Sequence, residues 1–170
     1  HPGHKDKVHG YVLGNYAKSE MDALAAMPDT HHAVAFVMID LDGFKEINDN
    51  NGHQAGDEVL LEVSRRLKAI APSKAHCARL GGDEFAFIIP LDNEDPHGLE
   101  LWACEMTGTI ARPIETEMGA LEATISAGIA VHWPAQQIEN LEGAARKLMH
   151  RADLAMYHAK KEGRNRFCWF

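Results

Sequence analysis

Two continuous apolar runs, Ala33 to Ile39 and Phe85 to Leu91, stand out in a chain whose other apolar residues recur mostly at helical spacing. Short runs rich in Val, Ile and Phe and bounded by turn residues predict strands buried on both faces. A further run, Ala75 to Leu80, leads through Gly81 and Gly82 into the second of them, so the pattern reads strand, tight turn, strand. From Asp57 to Ile70, Val59, Val63, Leu67 and Ile70 mark one helical face, which Pro72 ends. Pro96 to Ile110 predicts a second long helix, and Gly119 lies between two alternating segments, Ile114 to Glu117 and Leu121 to His132. The last helix has the clearest stripe, Leu141, Ala145, Leu148, Ala152, Ala155 and Ala159, with Gly163 as its expected carboxyl cap. Upstream, Ser19 to Met27 predicts a short helix with Leu24 inward, stopped by Pro28, and Pro28 to His32 a loop into the first strand. No internal repeat or low-complexity tract interrupts this order. The prediction is one α+β layered domain, with a mostly antiparallel sheet covered by helices.

Composition narrows the function classes. With 170 residues, 45% of them hydrophobic, the chain can bury a substantial core as one domain. A formal net charge of −8 argues against a broad nucleic-acid or membrane-binding surface, although a nucleotide needs only a local basic site. Both apolar runs fall far short of the roughly 20 residues that span a bilayer, and no signal peptide is visible. Cys77, Cys104 and Cys168 are scattered and odd in number, which fits a reducing cytoplasm better than a disulfide framework or a zinc site. The chain opens on His1 and ends after a terminal strand, so the expectation is a domain, 1–170, excised from a longer protein.

Candidate chemistry gathers where apolar strands end. Asp83 and Glu84 follow the glycine pair, where an ordinary hairpin would carry Asn-Gly or Asp-Gly; a surface hairpin with solvated acids is the plain alternative. The first strand ends in Asp40 and Asp42, followed at once by Gly43, Phe44 and Lys45. Hard divalent ions take one or two carboxylates from a protein and further oxygens from a substrate phosphate, and Asp40 with Asp83 would supply that pair if the first strand lies beside the hairpin. Gly43 to Lys45 turns from strand into helix, where exposed amides favour an anion. Asp42 could instead cap the turn, and Lys45 could be a solvated lysine. Asn48 and Asp57, joined by a turn-rich connector, could converge on one ligand. Asp57 is equally an N-cap candidate for the following helix. His53 reads as a turn residue without chemistry. Lys160 and Arg164, at the carboxyl end of the last helix, read on their own as a helix-end basic cluster.

Five blocks in order resemble the GGDEF family, the diguanylate cyclase domains of bacterial signalling proteins. They are Asp40 to Asp49, Gly52 to Asp57, Arg79 to Phe85, Ser126 to Ala130 and Ala152 to Arg166. The resemblance implies a palm-like sheet related to that of nucleotide cyclases and polymerases. It also implies condensation of two GTP into cyclic di-GMP and two pyrophosphates, with Mg²⁺ (or Mn²⁺) held by Asp40, the Leu41 carbonyl and Asp83. Asp83 and Glu84 would be catalytic, Glu84 as a second metal contact or general base. Asn48 and Asp57 would recognise guanine; Gly43, Phe44, Lys45, Lys160 and Arg164 would bind phosphate. Each domain would hold one GTP, so a homodimer is implied, with an upstream sensor and a downstream EAL-type domain as candidate neighbours in the full-length protein.

Two departures from the family pattern stand out. The amino-terminal turn, Asp6 to Gly14, keeps Asp6 and Gly10 but lacks the usual Asn-Arg, and the inhibitory product-binding Arg-x-x-Asp is replaced by Pro72 and Ala75, which predicts no such site. The altered turn leaves room for a second reading, a GTP-binding regulatory module that does not turn over and controls an adjacent domain such as an EAL-type cyclic di-GMP phosphodiesterase.

Overall fold

The computed structural model describes residues 33–91, 96–133 and 141–170. The predicted helix Ser19 to Met27, the loop that follows it and the altered amino-terminal turn lie outside the described residues. The elements, in chain order, are β1 (Ala33–Asp42), α1 (Phe44–Asn51), α2 (His53–Ile70), β2 (His76–Gly81), β3 (Glu84–Leu91) and α3 (Pro96–Ile110). They continue with β4 (Ile114–Thr116), β5 (Gly119–Leu121), β6 (Thr124–His132), α4 (Leu141–Lys161) and β7 (Arg166–Trp169).

The longest apolar run becomes the middle of the sheet. The strand order is β2-β3-β1-β6-β7, with β1 antiparallel to both β3 and β6. Every residue of β1 from Ala33 to Leu41 is buried, which is why its sequence shows no polar alternation. Strand geometry still divides it. Ala35, Val37, Ile39 and Leu41 face a core built with α2 and α3, whereas Val34, Phe36 and Met38 face a second core closed by α4. Asp40 and Asp42 continue the second set, so both acids belong to the face that α4 covers.

Helix α4 can lie unusually close to the sheet. Its buried residues Ala152, Ala155 and Ala159 are small, and a Cβ built on Gly128 of β6 would fall 2.0 Å from the Ala152 carbonyl oxygen and 2.2 Å from the Met156 nitrogen. No side chain fits there without moving the helix backbone. The stripe read from the sequence is therefore a contact surface chosen for thinness as much as for hydrophobicity.

Three boundaries differ from the sequence expectation. Helix α2 begins at His53, four residues before Asp57, so Asp57 is inside the helix and does not cap it; the N-cap is Gly52, without a side-chain bond. Glu84 is already the first residue of β3, since Gly82 and Asp83 alone make the turn. Gly119 opens β5, which pairs with β4 as a separate two-stranded sheet, and the long strand starts only at Thr124. The final strand, β7, pairs parallel to β6, an exception in an otherwise antiparallel sheet.

The packing of Gly128 yields a paired expectation. Gly128→Ala should destabilise the domain by about 1–3 kcal/mol, because the added methyl has only backbone to displace. Gly108→Ala, at an exposed position of α3 with nothing within 4 Å of the new methyl, should stabilise it by about 0.5–1 kcal/mol. Urea unfolding midpoints of the two variants check both signs.

Candidate active site

Antiparallel pairing brings the acids together. Asp40 stands opposite Glu84 in the β1–β3 register, and the Leu41 amide donates to the Asp83 carbonyl at 3.0 Å, fastening the hairpin turn to the end of β1. The turn needs glycine, since Gly82 has φ of 46°, a conformation costly for other L residues. Arg79 steadies it by donating Nε and Nη2 to the Gly82 carbonyl at 3.1 and 2.8 Å. One carboxylate oxygen from each of Asp40, Asp83 and Glu84 then lies within 4.8 Å of the others. Asp40 and Glu84 are buried, at 4% and 6% exposure, so the surface-hairpin alternative fails for Glu84.

Asp40 is the electrostatic centre. Lys160, on the last turn of α4, donates to Asp40 Oδ2, while Oδ1 is buried with no hydrogen-bond partner among the described residues. Burial pushes the Asp40 carboxyl up to about 7; the hydrogen bond from Lys160 opposes this and the neighbouring charge of Asp83 adds to it. A buried carboxylate oxygen with no donor, beside two further carboxylates, is suited to a hard divalent cation. The donor set of Asp40, Asp83 and Glu84 therefore fits a hard divalent cation, and the Leu41 backbone lies at the same place.

Asp42 does something the sequence did not disclose. It caps no helix: α1 has Gly43 as N-cap, at φ 65°, with no side-chain bond. Its carboxylate instead accepts from Thr124 Oγ1 and Ser126 Oγ, both at 2.7 Å, and from the Asn165 backbone amide at 3.0 Å. Those donors carry a faint signal at most, two hydroxyls at alternate positions in an otherwise apolar strand.

The remaining candidates fall into two groups around this centre. Gly43, Phe44 and Lys45 form the strand-to-helix turn directly after the acids; Phe44 packs against the core, Lys45 is exposed, and acidic Glu46 shares the first turn. Asn48 is half-buried near the end of α1, where its side chain lies across Gly56: a Cβ there would sit 1.8 Å from Asn48 Oδ1. Asp57 follows Gly56 and is exposed, so the guanine candidates come from two adjoining helix ends, joined by Gly52 alone. The β4–β5 hairpin braces this region, with Glu58 accepting from the Glu117 amide at 3.0 Å and Gln54 donating to Glu117 at 2.8 Å. Lys160 is held at the acids, and exposed Arg164 lies in the turn that links α4 to β7. Pro72 and Ala75, where an inhibitory site would need Arg and Asp, close a small turn through an Ala75 N to Pro72 O bond of 3.0 Å.

The Asp40 shift has a definite sign. The unfolded carboxyl titrates near 4 and the folded one at about 7, so between those values the folded chain binds more protons and loses stability as pH rises. In metal-free buffer, wild type should lose melting temperature relative to Asp40→Asn between pH 5 and 8. Added Mn²⁺ should stabilise wild type more at pH 8 than at pH 6, since the ion binds the ionised carboxylate. Thermal melts across pH, with and without Mn²⁺, test both.

Comparison with known proteins supplies the family. Residues 15–166 match the family model described as diguanylate cyclase, GGDEF domain. The bifunctional diguanylate cyclase/cyclic di-GMP phosphodiesterase MucR of Pseudomonas aeruginosa is 38% identical over 86% of this chain and 20% of its own length. The probable diguanylate cyclase DgcF of Escherichia coli K12 is 35% identical over 83% of this chain and 44% of its own. The chain thus spans less than half of either relative. Among solved structures, the GGDEF domain of DgcB from Caulobacter crescentus in complex with c-di-GMP aligns with a TM-score of 0.75 at 29% identity, covering 89% of this chain and 86% of that one. The acid cluster, the fold that builds it and these matches together make the chain a member of the GGDEF diguanylate cyclase family.

Proposed function

We propose that this domain condenses two GTP molecules into cyclic di-GMP and two pyrophosphates. The observation that carries the reading is the convergence of Asp40, Asp83 and Glu84, with an unpartnered buried oxygen on Asp40, at the sheet end where Lys160 also arrives. A divalent ion held by Asp40, Asp83 and the Leu41 carbonyl would polarise the α-phosphate and make the ribose 3′-hydroxyl more acidic.

The protein's own groups divide the remaining work. Asn48 and Asp57 hold the guanine edge. Amides of the Gly43–Lys45 turn, with Lys45, Lys160 and Arg164, hold the triphosphate and balance charge on the departing pyrophosphate. Glu84, beside the acids, supplies a second cation contact or accepts the 3′-hydroxyl proton. Each step forms one O3′–Pα bond and breaks one Pα–O bond to pyrophosphate. A second identical step closes the ring, so two domains face each other across a two-fold axis, each presenting its GTP to the other. We also infer that Pro72 and Ala75 give no inhibitory product site, and that the full-length protein joins this domain to an upstream sensor and, as in relatives that are bifunctional, a phosphodiesterase domain. Among the described residues no helix is long and apolar enough to cross a membrane, which fits catalysis in the cytoplasm.

Incubation with GTP and Mg²⁺ over a range of protein concentrations, with chromatographic separation of nucleotides, tests the reading. Cyclic di-GMP should form at a specific rate that rises with protein concentration, and Asp83→Ala should lower it by at least about 100-fold. Asn48→Ala should raise the KM for GTP by up to about tenfold, the worth of one or two hydrogen bonds. Bound GTP with no product at any concentration would overturn turnover and leave a regulatory module.

A further inference from the structure

We propose that Asp42 is a positioning residue for the phosphate-binding half of the site: its carboxylate ties the turn carrying Arg164 to the end of β1, two residues from Asp40. The inference deepens the GTP reading of Arg164 and rests on it.

The turn between α4 and β7 is one that the local chain would not hold alone. Gly163, Arg164 and Asn165 have φ of 128°, 65° and 48°, three successive left-handed residues of which two are not glycine. On the helix side the Arg164 amide donates to the Ala159 carbonyl at 3.0 Å, and within the turn Arg166 Nε donates to the Arg164 carbonyl at 3.0 Å. Both bonds are local and would travel with the helix end. The bond from the Asn165 amide to Asp42 Oδ2 is different, because it joins the turn to the central strand, 123 residues away in sequence.

Asp42 is itself held to receive that bond. Ser126 donates to Oδ1 and Thr124 to Oδ2, so β6 fixes the carboxylate plane before the turn arrives. With three donors engaged, Asp42 is a poor candidate for a fourth metal-binding acid, and it is absent from the group formed by Asp40, Asp83 and Glu84. Asp40 grips Lys160 and Asp42 grips Asn165, so two alternate residues of one strand hold two points of the same helix-to-strand connection. Arg164 lies between those points, and the chain beyond them continues into β7, whose Arg166 pairs with Ser126 of β6.

The test uses Asp42→Ala, Asp42→Asn, Arg164→Ala and the Asp42→Ala/Arg164→Ala double variant, with Thr124→Val as a milder change that keeps the carboxylate. Hydrogen exchange of the 161–166 segment is followed by mass spectrometry without nucleotide. Affinity is measured for 3′-deoxy-GTP with Mg²⁺, which cannot react because it lacks the attacking hydroxyl. Asp42→Ala should speed exchange in that segment by about tenfold while β1 and β3 stay protected, and weaken the analogue by about tenfold. Asp42→Asn, which keeps an acceptor oxygen for the Asn165 amide, should recover most of both, and Thr124→Val should move both in the Ala direction by less. In the Arg164→Ala background, Asp42→Ala should cost less than about twofold more affinity, because the two changes act through one group. Unchanged exchange in Asp42→Ala, or affinity losses that multiply, would overturn the proposal. A wild type that does not bind the analogue would overturn the GTP reading, while the exchange result would still decide whether Asp42 holds the turn.

Discussion

Helix α4 meets β6 at backbone contact distance, and the chemistry at the end of β1 depends on that closeness. Gly128 offers no Cβ, and the helix replies with Ala152, Ala155 and Ala159. Lys160 is the next residue after this thin stripe, and from a helix lying this low on the sheet its ammonium meets Asp40. Gly128 pairs with Met38 and Ser126 with Asp40 in the β1–β6 register, so the point of closest packing sits one strand repeat from the buried acid. A larger residue at Gly128 would lift the helix and draw the ammonium away from the carboxylate. Packing and electrostatics are here one constraint, set by a missing side chain.

That constraint leaves Asp40 under strain of a useful kind. Its environment is poor for an isolated carboxylate: it is nearly fully buried, one oxygen is bonded to Lys160, and the other meets no donor among the described residues. A second donor would lower the cost of burial and raise stability. The same donor would fill the position that a divalent cation needs. The raised titration of Asp40 follows chiefly from that burial. Domains commonly depart from the best-packed solution where their function lies.

Much of this was legible in the sequence, and the unreadable parts share physical reasons. The runs at Ala33 and Phe85, the α2 face and the α4 stripe announce themselves by period, and Asp40 and Asp83 by standing where apolar strands stop. Glu84 was misplaced by one residue because a two-residue turn needs only Gly82 and Asp83, and nothing in an acidic pair says which member re-enters the strand. The α2 start was missed because Gly52 ends one helix and begins the next without a capping side chain. The segment at Ile114 and the terminal strand were legible, but three-residue β5 was not separable from the long strand after it, and strands of three or four residues cannot declare their direction. Asp42 was unreadable in role because its side-chain partners lie 82 and 84 residues away.

The contrast between Asp40 and Asp42 shows how one strand end can carry both a ligand and a tether. Two residues apart on the same face, they have identical chemistry and begin with the same claim on the hydroxyls of β6. The register places Ser126 opposite Asp40, yet its hydroxyl is given diagonally to Asp42, which also takes Thr124 from directly opposite. Diagonal neighbours on adjacent strands are within reach of short polar side chains when the sheet twists, so pairing alone does not decide who is satisfied. Asp42 gains three donors and becomes a fixed point for the turn after α4. Asp40 goes without the hydroxyl that stands opposite it and, among the described residues, keeps an unpartnered oxygen at the acid cluster. The unequal sharing of one serine hydroxyl thus separates structure from chemistry within a single Asp-x-Asp pair.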